Sequence, residues 1–494
     1  MTTTPNMTSV RLQTNLDWLY PELGEVVRLF LGDVPISESA GETVITHTHE
    51  ETPDGNWTER AQTEGCPEVV RTVKAVFGGL NEKRALKRAA KTSVFLLLSR
   101  VLNRIPPWGS LTGIRPTRLI YEAMERGLTE EEAALWVENE FFVSPEKASL
   151  LREIVQMQRG LIFPPSDTFD LYIGIPFCVT RCAYCSFAAG EIGDGRLTQP
   201  YVEALKREIR QSAEITKGLG MRLRAGYVGG GTPTAISCGQ LNEVLTEAMN
   251  AFPGASEWTV EAGRPDTIDR EKLKMLKSHS VGRISVNPQT FSDETLRIIG
   301  RAHTAKDTLD AFALSREEGF DDINMDLIAA LPGETLKDFE RTLSEVTRLS
   351  PESVTVHSLA IKRSSRLHER LTVEGGAHNQ ADAEDADKMI RLARGVLTEN
   401  GWKPYYLYRQ KYMAGNLENV GYAKAGKACL YNIGNMEETA RVLALGAGAI
   451  TKWLFPRERR IDRAPNVRNI EEYIARVDEM VERKRALILE GKPS

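Results

Sequence analysis

The sequence predicts an α/β protein whose centre is a parallel sheet curled into a partial (β/α)6 barrel. Three observations predict it. From Asp170 onward, short apolar runs alternate with longer amphipathic ones. The chemically suggestive motifs fall where those apolar runs end, as barrel sites do. A length of 494 residues exceeds what one core sustains, so further domains flank the barrel.

The candidate strands span 171–176, 226–229, 258–261, 283–286, 322–327 and 353–359. Helical patterns at 201–217, 238–251 and 336–349 lie between them, which is the βα order of a parallel sheet. The barrel domain is placed at 166–370. Residues 1–165 form an N-terminal α/β domain of unassigned role. Within it, the hydrophilic stretch 47–65 is a hairpin or a loose loop. A helix at 81–102 carries Val94, Leu97, Leu98 and Val101 at helical spacing, and Pro106-Pro107 ends it. Thr129 and Glu132 form a capping box, Ser144-Pro145 an N-cap with proline at the first helical position, and 163–167 a linker. Residues 371–494 are expected to be mostly helical, at 381–400 and 469–489, and to cover the substrate.

The net charge of −5 gives no basic excess, so no nucleic-acid partner is expected. The apolar run 94–98 is far too short to span a bilayer, and Met1 to Gln13 has no apolar core of a secretion signal. A cytoplasmic location is the expectation. Six cysteines in so long a chain do not suggest a disulfide scaffold, but three of them crowd together.

That crowd is Ile175-Pro-Phe-Cys178-Val-Thr-Arg-Cys182-Ala-Tyr-Cys185-Ser-Phe187, a Cys-x3-Cys-x2-Cys spacing after the first barrel strand. Thiolates are soft ligands for iron–sulfur clusters or zinc. Structural zinc closes with four ligands, and no fourth cysteine or histidine lies nearby. Three thiolates on a cubane leave one iron open for a ligand. A non-catalytic zinc protein remains the reading from another class, and iron, sulfide and zinc content separates the two. Cys66, Cys238 and Cys429 are expected to be inert.

The cysteine spacing resembles the signature of the radical S-adenosylmethionine superfamily. Further segments resemble the oxygen-independent coproporphyrinogen III oxidase (coproporphyrinogen dehydrogenase) family. They are Tyr172-Ile-Gly-Ile-Pro-Phe-Cys178, Gly229-Gly-Gly-Thr-Pro-Thr234, Ser285-Val-Asn-Pro-Gln289, Gly300-Arg-Ala-His303, Asp326-Leu-Ile-Ala-Ala-Leu-Pro-Gly333 and Leu445-Gly-Ala-Gly-Ala-Ile450. The N-terminal domain and the segment from Tyr408 to Tyr422 are similar to its HemZ-type branch. The resemblance implies a [4Fe–4S] cluster on Cys178, Cys182 and Cys185. It implies S-adenosylmethionine held by Gly229, Gly230, Gly231 and Thr232 and by Glu261, Gln289, Arg301 and Asp326, with Tyr172 packed beside it. It implies a one-electron reductant such as flavodoxin or ferredoxin, and no catalytic residue is assigned beyond the cluster. The reaction implied is decarboxylation of two propionates of coproporphyrinogen III to vinyl groups, giving protoporphyrinogen IX in haem biosynthesis.

A substrate with four carboxylates calls for arginine forks and aromatic walls. Arg363, Arg366, Arg409 and Lys411, near Tyr405, Tyr406 and Tyr408, are the candidates. The chain departs from the best-known enzymes at Gly174, where they have histidine, and at Phe187, where they have a further cysteine. A haem-chaperone branch of the group shares the phenylalanine. That chaperone role, and another radical reaction such as methyl transfer, stand as alternatives.

Overall fold

The computed structural model describes residues 7–32, 34–113, 115–185, 189–359, 380–410, 416–458 and 460–490. The chain divides into two compact units, one of Met1–Arg152 with Arg409–Leu417, the other of Glu153–Tyr408 with Glu418–Ser494.

The first unit contains β1 (Val10–Thr14), α1 (Tyr20–Leu31), β2 (Ile36–Ser37), β3 (Thr43–Glu51), β4 (Asn56–Thr63), β5 (Val69–Lys74) and α2 (Gly79–Val101). Its sheet runs β2-β1-β3-β4-β5. The hydrophilic stretch is the β3–β4 hairpin, antiparallel with His47 opposite Ala61. Its polarity is deceptive, because part of it is buried, His47, Trp57, Thr58, Glu59 and Ala61 among them. The buried Glu59 carboxylate meets His47 Nε2 at 2.9 Å and His49 Nδ1 at 2.8 Å, so these polar groups satisfy one another inside the fold. Val94, Phe95, Leu97 and Leu98 of α2 are fully buried in the same core as Val10, Leu12 and Ile45. Next come α3 (Thr117–Glu125), α4 (Glu130–Phe141) and α5 (Pro145–Met157). The capping box at α4 is present: Glu132 N donates to Thr129 Oγ1 at 3.2 Å, and Thr129 N to Glu132 Oε2 at 2.8 Å.

The second unit opens with β6 (Thr168–Ile175), β7 (Phe177–Cys178), β8 (Gly190–Glu191), α6 (Thr198–Gly218), β9 (Arg222–Gly230) and α7 (Cys238–Ala251). It continues with β10 (Glu257–Val260), α8 (Arg270–Ser278), β11 (Arg283–Ser285), α9 (Asp293–Ile298), α10 (Ala305–Glu317), β12 (Ile323–Ala329), α11 (Leu336–Leu349) and β13 (Ser353–Ser358). Strands β6, β9, β10, β11, β12 and β13 are neighbours in that order and pair in parallel, as the sequence predicts. Strand β6 is buried nearly throughout, its Asp170 paired with Arg224, because both faces are covered.

The last third holds α12 (Gln380–Glu399), β14 (Lys403–Arg409), β15 (Glu418–Ala423), α13 (Leu430–Glu437), β16 (Val442–Leu445), β17 (Ile450–Phe455), β18 (Arg460–Pro465) and α14 (Ile470–Glu490). The expected helices are there. The strands between them extend the barrel sheet at both edges: β15 pairs antiparallel with β13, and β16 pairs parallel with β6. Apart from Arg409–Leu417, this segment therefore falls in the same compact unit as the barrel rather than in a domain of its own. Short buried runs such as Val442–Leu445 carry no period that separates strand from buried helix. Among the described residues, no helix is long and apolar enough to cross a membrane.

Candidate cluster and cofactor site

The three cysteines follow β6, Cys178 at the end of the short β7 and Cys182 and Cys185 on the loop after it. Cys185 N donates to Cys182 O at 3.1 Å, which closes a turn between two of them. Ala183 N donates to Ile299 O at 2.9 Å, and Ala183 is buried with Leu296, Ile299, Ile328, Leu331 and Leu359. Arg264 clamps the front of the loop, its Nη1 donating to Thr180 O at 2.9 Å and to Thr180 Oγ1 at 2.8 Å. Asp266 holds that guanidinium with two bonds of 3.1 Å. The loop is thus fixed by an apolar plug and an arginine, while all three thiols stay half-buried and free of disulfides.

Burial pushes the Cys178 thiol up. The hydrogen bond from Thr232 and the Arg264 charge oppose this, and Cys185 and Cys182 lie close enough to add to it. Among the described residues, no three His, Cys, Asp or Glu side chains surround one metal-ion position. A cubane takes one thiolate per iron, so its ligands need not converge on a point. The surroundings fit such a group. A Cβ on Gly231 would lie 2.6 Å from Phe177 O and 3.0 Å from Cys178 Sγ, so only glycine keeps the space beside that sulfur. Gly230 has φ +115°, a conformation that side chains rarely adopt, and its neighbour Gly229 pairs with Gly174.

The expected polar residues come from several elements: Gln289 lies past β11, Asp326 in the middle of β12 rather than at its end, and Arg301 past α9. Glu261 follows β10 and accepts a 2.6 Å bond from the Tyr227 hydroxyl. Burial raises its carboxyl to about 7, with Asp326 adding to the rise and the Tyr227 bond opposing it. Asp326 accepts from Asn287 Nδ2 and Asn324 Nδ2, each at 2.8 Å. Burial alone would raise its carboxyl, but His357 and Asn324 bring it below the ordinary value. His357 Nε2 lies 3.9 Å from Asp326, and its Nδ1 lies 3.4 Å from the Tyr408 hydroxyl. Gln289 takes a left-handed backbone, φ 65°, and its N–H donates to Asp326 O at 2.9 Å. Arg301 Nη2 donates to the Tyr184 hydroxyl at 3.0 Å, tying it to the cysteine loop, while among the described residues its buried Nε has no partner. Tyr172 stacks in a block with Tyr227 at 6.3 Å and Tyr431 at 6.1 Å, all three rings within about 22° of parallel.

Sequence reasoning missed Arg264, Asp266, Tyr227, Asn287 and His357. Arg264 and Asp266 follow β10 in a segment that reads as an ordinary polar loop, and only the fold brings it to Thr180. Of the four candidate substrate residues, Arg363, Arg366 and Lys411 lie outside the described residues. Arg409 is 2% exposed, and its guanidinium donates to Leu111 O at 2.9 Å, Gly113 O at 3.3 Å and Asn416 O at 3.0 Å. It also lies 5.0 Å from the Trp108 ring centre. Holding these backbone carbonyls, rather than a propionate, is what its geometry accounts for. Cys429 is buried with its thiol donating to Glu257 at 3.2 Å.

The pattern of the Radical SAM superfamily matches residues 172–346. The chain is 36% identical over 481 residues to the oxygen-independent coproporphyrinogen-III oxidase-like protein HemZ of Bacillus subtilis, covering 95% of each. It is 32% identical over 281 residues to the haem chaperone HemW of the same organism, covering 56% of this chain and 69% of the relative. Among solved structures, the coproporphyrinogen III oxidase HemN from Escherichia coli superposes with a TM-score of 0.50 at 22% identity, over 66% of this chain and 72% of that one. That last likeness is one of fold.

Proposed function

The chain belongs to the HemN/HemZ-type family of radical S-adenosylmethionine proteins, and we propose that it converts coproporphyrinogen III to protoporphyrinogen IX without oxygen. The observation that carries this reading is the convergence of the clamped cysteine loop with Glu261, Gln289, Arg301 and Asp326 on one end of one barrel. Its HemZ relative, matched over nearly the whole chain, is named as coproporphyrinogen-III oxidase-like, which supports the substrate. In this reading Cys178, Cys182 and Cys185 hold a [4Fe–4S] cluster. Such a cluster, with S-adenosylmethionine bound, would supply one-electron reductive chemistry. The chain's own residues bind and orient. The buried Arg301 suits the cofactor's carboxylate, Glu261 and Asp326 accept from its hydroxyl and amino groups, and the Gly229–Thr232 turn lets backbone approach it. The tyrosine block of 172, 227 and 431 meets the site through the Tyr227 hydroxyl, which donates to Glu261. Arg363, Arg366 and Lys411 are proposed to meet propionates, and flavodoxin or ferredoxin to supply the electron.

The test is anaerobic turnover of the reconstituted protein with coproporphyrinogen III, S-adenosylmethionine and a reductant. Protoporphyrinogen IX and 5′-deoxyadenosine are expected together. Formation of 5′-deoxyadenosine without protoporphyrinogen refutes the substrate. Each Cys→Ala variant at 178, 182 and 185 should lose most of the roughly four irons and four sulfides of a cubane, and a variant that keeps them excludes that cysteine as a ligand. A haem chaperone is the second reading. It is favoured by Phe187, which stands where the oxidases have cysteine, and by the HemW relative. Stoichiometric haem binding by a protein that turns over no porphyrinogen would select it.

A further inference from the structure

Thr232 lies at the tip of β9, beside the cysteine loop. Its side chain is 3% exposed, so no bulk water competes for its hydroxyl. That hydroxyl donates to Cys178 Sγ at 3.6 Å, an ordinary length for a bond to sulfur. The contact is imposed by the backbone on both sides. Thr232 N donates to Phe177 O at 2.7 Å, and Gly231 N to Ile175 O at 2.8 Å. Gly231, lacking a side chain, lets that turn come against the sulfur. Two backbone bonds therefore hold the threonine in register with the strand that ends in Cys178, and among the described residues its hydroxyl donates to that sulfur.

We infer that Thr232 is a positioning residue that tunes the reduction potential of the metal group held by Cys178, through this hydroxyl-to-sulfur bond. The inference rests on the cluster reading of the preceding section. Hydrogen bonds to ligating sulfurs are among the factors that set iron–sulfur potentials. A donor at a thiolate draws electron density from it and favours the state with one more electron. Removing the donor makes the group harder to reduce. A single bond to a charged acceptor corresponds to roughly a tenfold change in equilibrium. For a one-electron couple, tenfold is about 59 mV.

The experiment compares the wild type with Thr232→Val, Thr232→Ala and Thr232→Ser, all reconstituted anaerobically and studied without S-adenosylmethionine. Iron and sulfide are counted first. The midpoint potential is then measured by redox titration, followed by the electron paramagnetic resonance of the reduced state. Valine keeps the shape and removes the donor, so its potential should fall, leaving about tenfold less of the protein reduced at a fixed poise. Thr232→Ala should fall likewise and serves if the valine variant does not fold. Thr232→Ser keeps the hydroxyl and should stay with the wild type. A purely structural role would lower cluster content without this ordering of potentials. A full cluster at an unmoved potential in the valine or alanine variant overturns the inference alone, as does serine shifting as far as alanine. A wild type that takes up no cluster overturns the cluster reading itself, and the inference with it.

Discussion

Glu261 has an ordinary acidic side chain in an unusual place. Its carboxyl, raised by burial to about 7, binds a proton more tightly in the folded chain than in the unfolded one. The stability this contributes is present below the ordinary value of 4.5 and is lost as pH rises to about 7. Glu261→Gln should flatten that loss, which amounts to about 2–3 kcal/mol, in denaturant unfolding of the metal-free protein at pH 5 and pH 8. An unaltered pH dependence in the variant would show that the carboxyl titrates normally. Gly231→Ala tests the same end of the barrel sterically. The added methyl would press on Phe177 O and Cys178 Sγ, so cluster content should fall sharply while helicity by circular dichroism is kept. The sequence exposed Glu261 as a candidate because it ends an expected strand, and Gly231 because it lies in the glycine run at the end of another. It did not expose His357, which lies near the end of β13 in an ordinary apolar stretch, because nothing in one strand reveals that Asp326 stands beside it on the next.

Among the elements, α14 is tied to the barrel by one buried charge. Lys484 Nζ donates to Glu208 Oε1 at 2.6 Å, both side chains are fully buried, and the carboxylate also accepts from Asn466, Gly446 N and Tyr473. The same α6 sends the Tyr201 hydroxyl to Gly174 O at 2.6 Å, one residue before Ile175 closes β6. Lys484→Met leaves the Glu208 charge unpaired and should cost about 3–5 kcal/mol, read as a fall in Tm. Adding Glu208→Gln should restore part of the loss, because the stranded charge is gone. A single variant as stable as the wild type would mean that water reaches the carboxylate. The helix itself was legible from its spacing. Its lysine looked like any surface lysine, because burial of a charge depends on a partner 276 residues away.

At the level of the molecule, the first unit takes back a piece of distant chain, Arg409–Leu417. Arg409 holds it there through the carbonyls of Leu111 and Gly113. Arg409→Ala should destabilise the protein by about 3 kcal/mol, since several buried acceptors lose their donor, while leaving iron content unchanged. A raised KM for porphyrinogen with no loss of stability would instead return Arg409 to the substrate. The sequence by itself determined the parallel order from β6 to β13, and it brought out the three cysteines and the polar residues beyond the strands as candidates. Local period, spacing and strand ends are written in neighbouring residues. Only the tertiary structure decided that the last third supplies strands as well as helices to the barrel's unit. It also decided that Arg264 clamps the cysteine loop, that Thr232 reaches Cys178, and that Arg409 serves the fold. Each depends on a partner far along the chain, and the free energy of burying a polar group with that partner has no local signature.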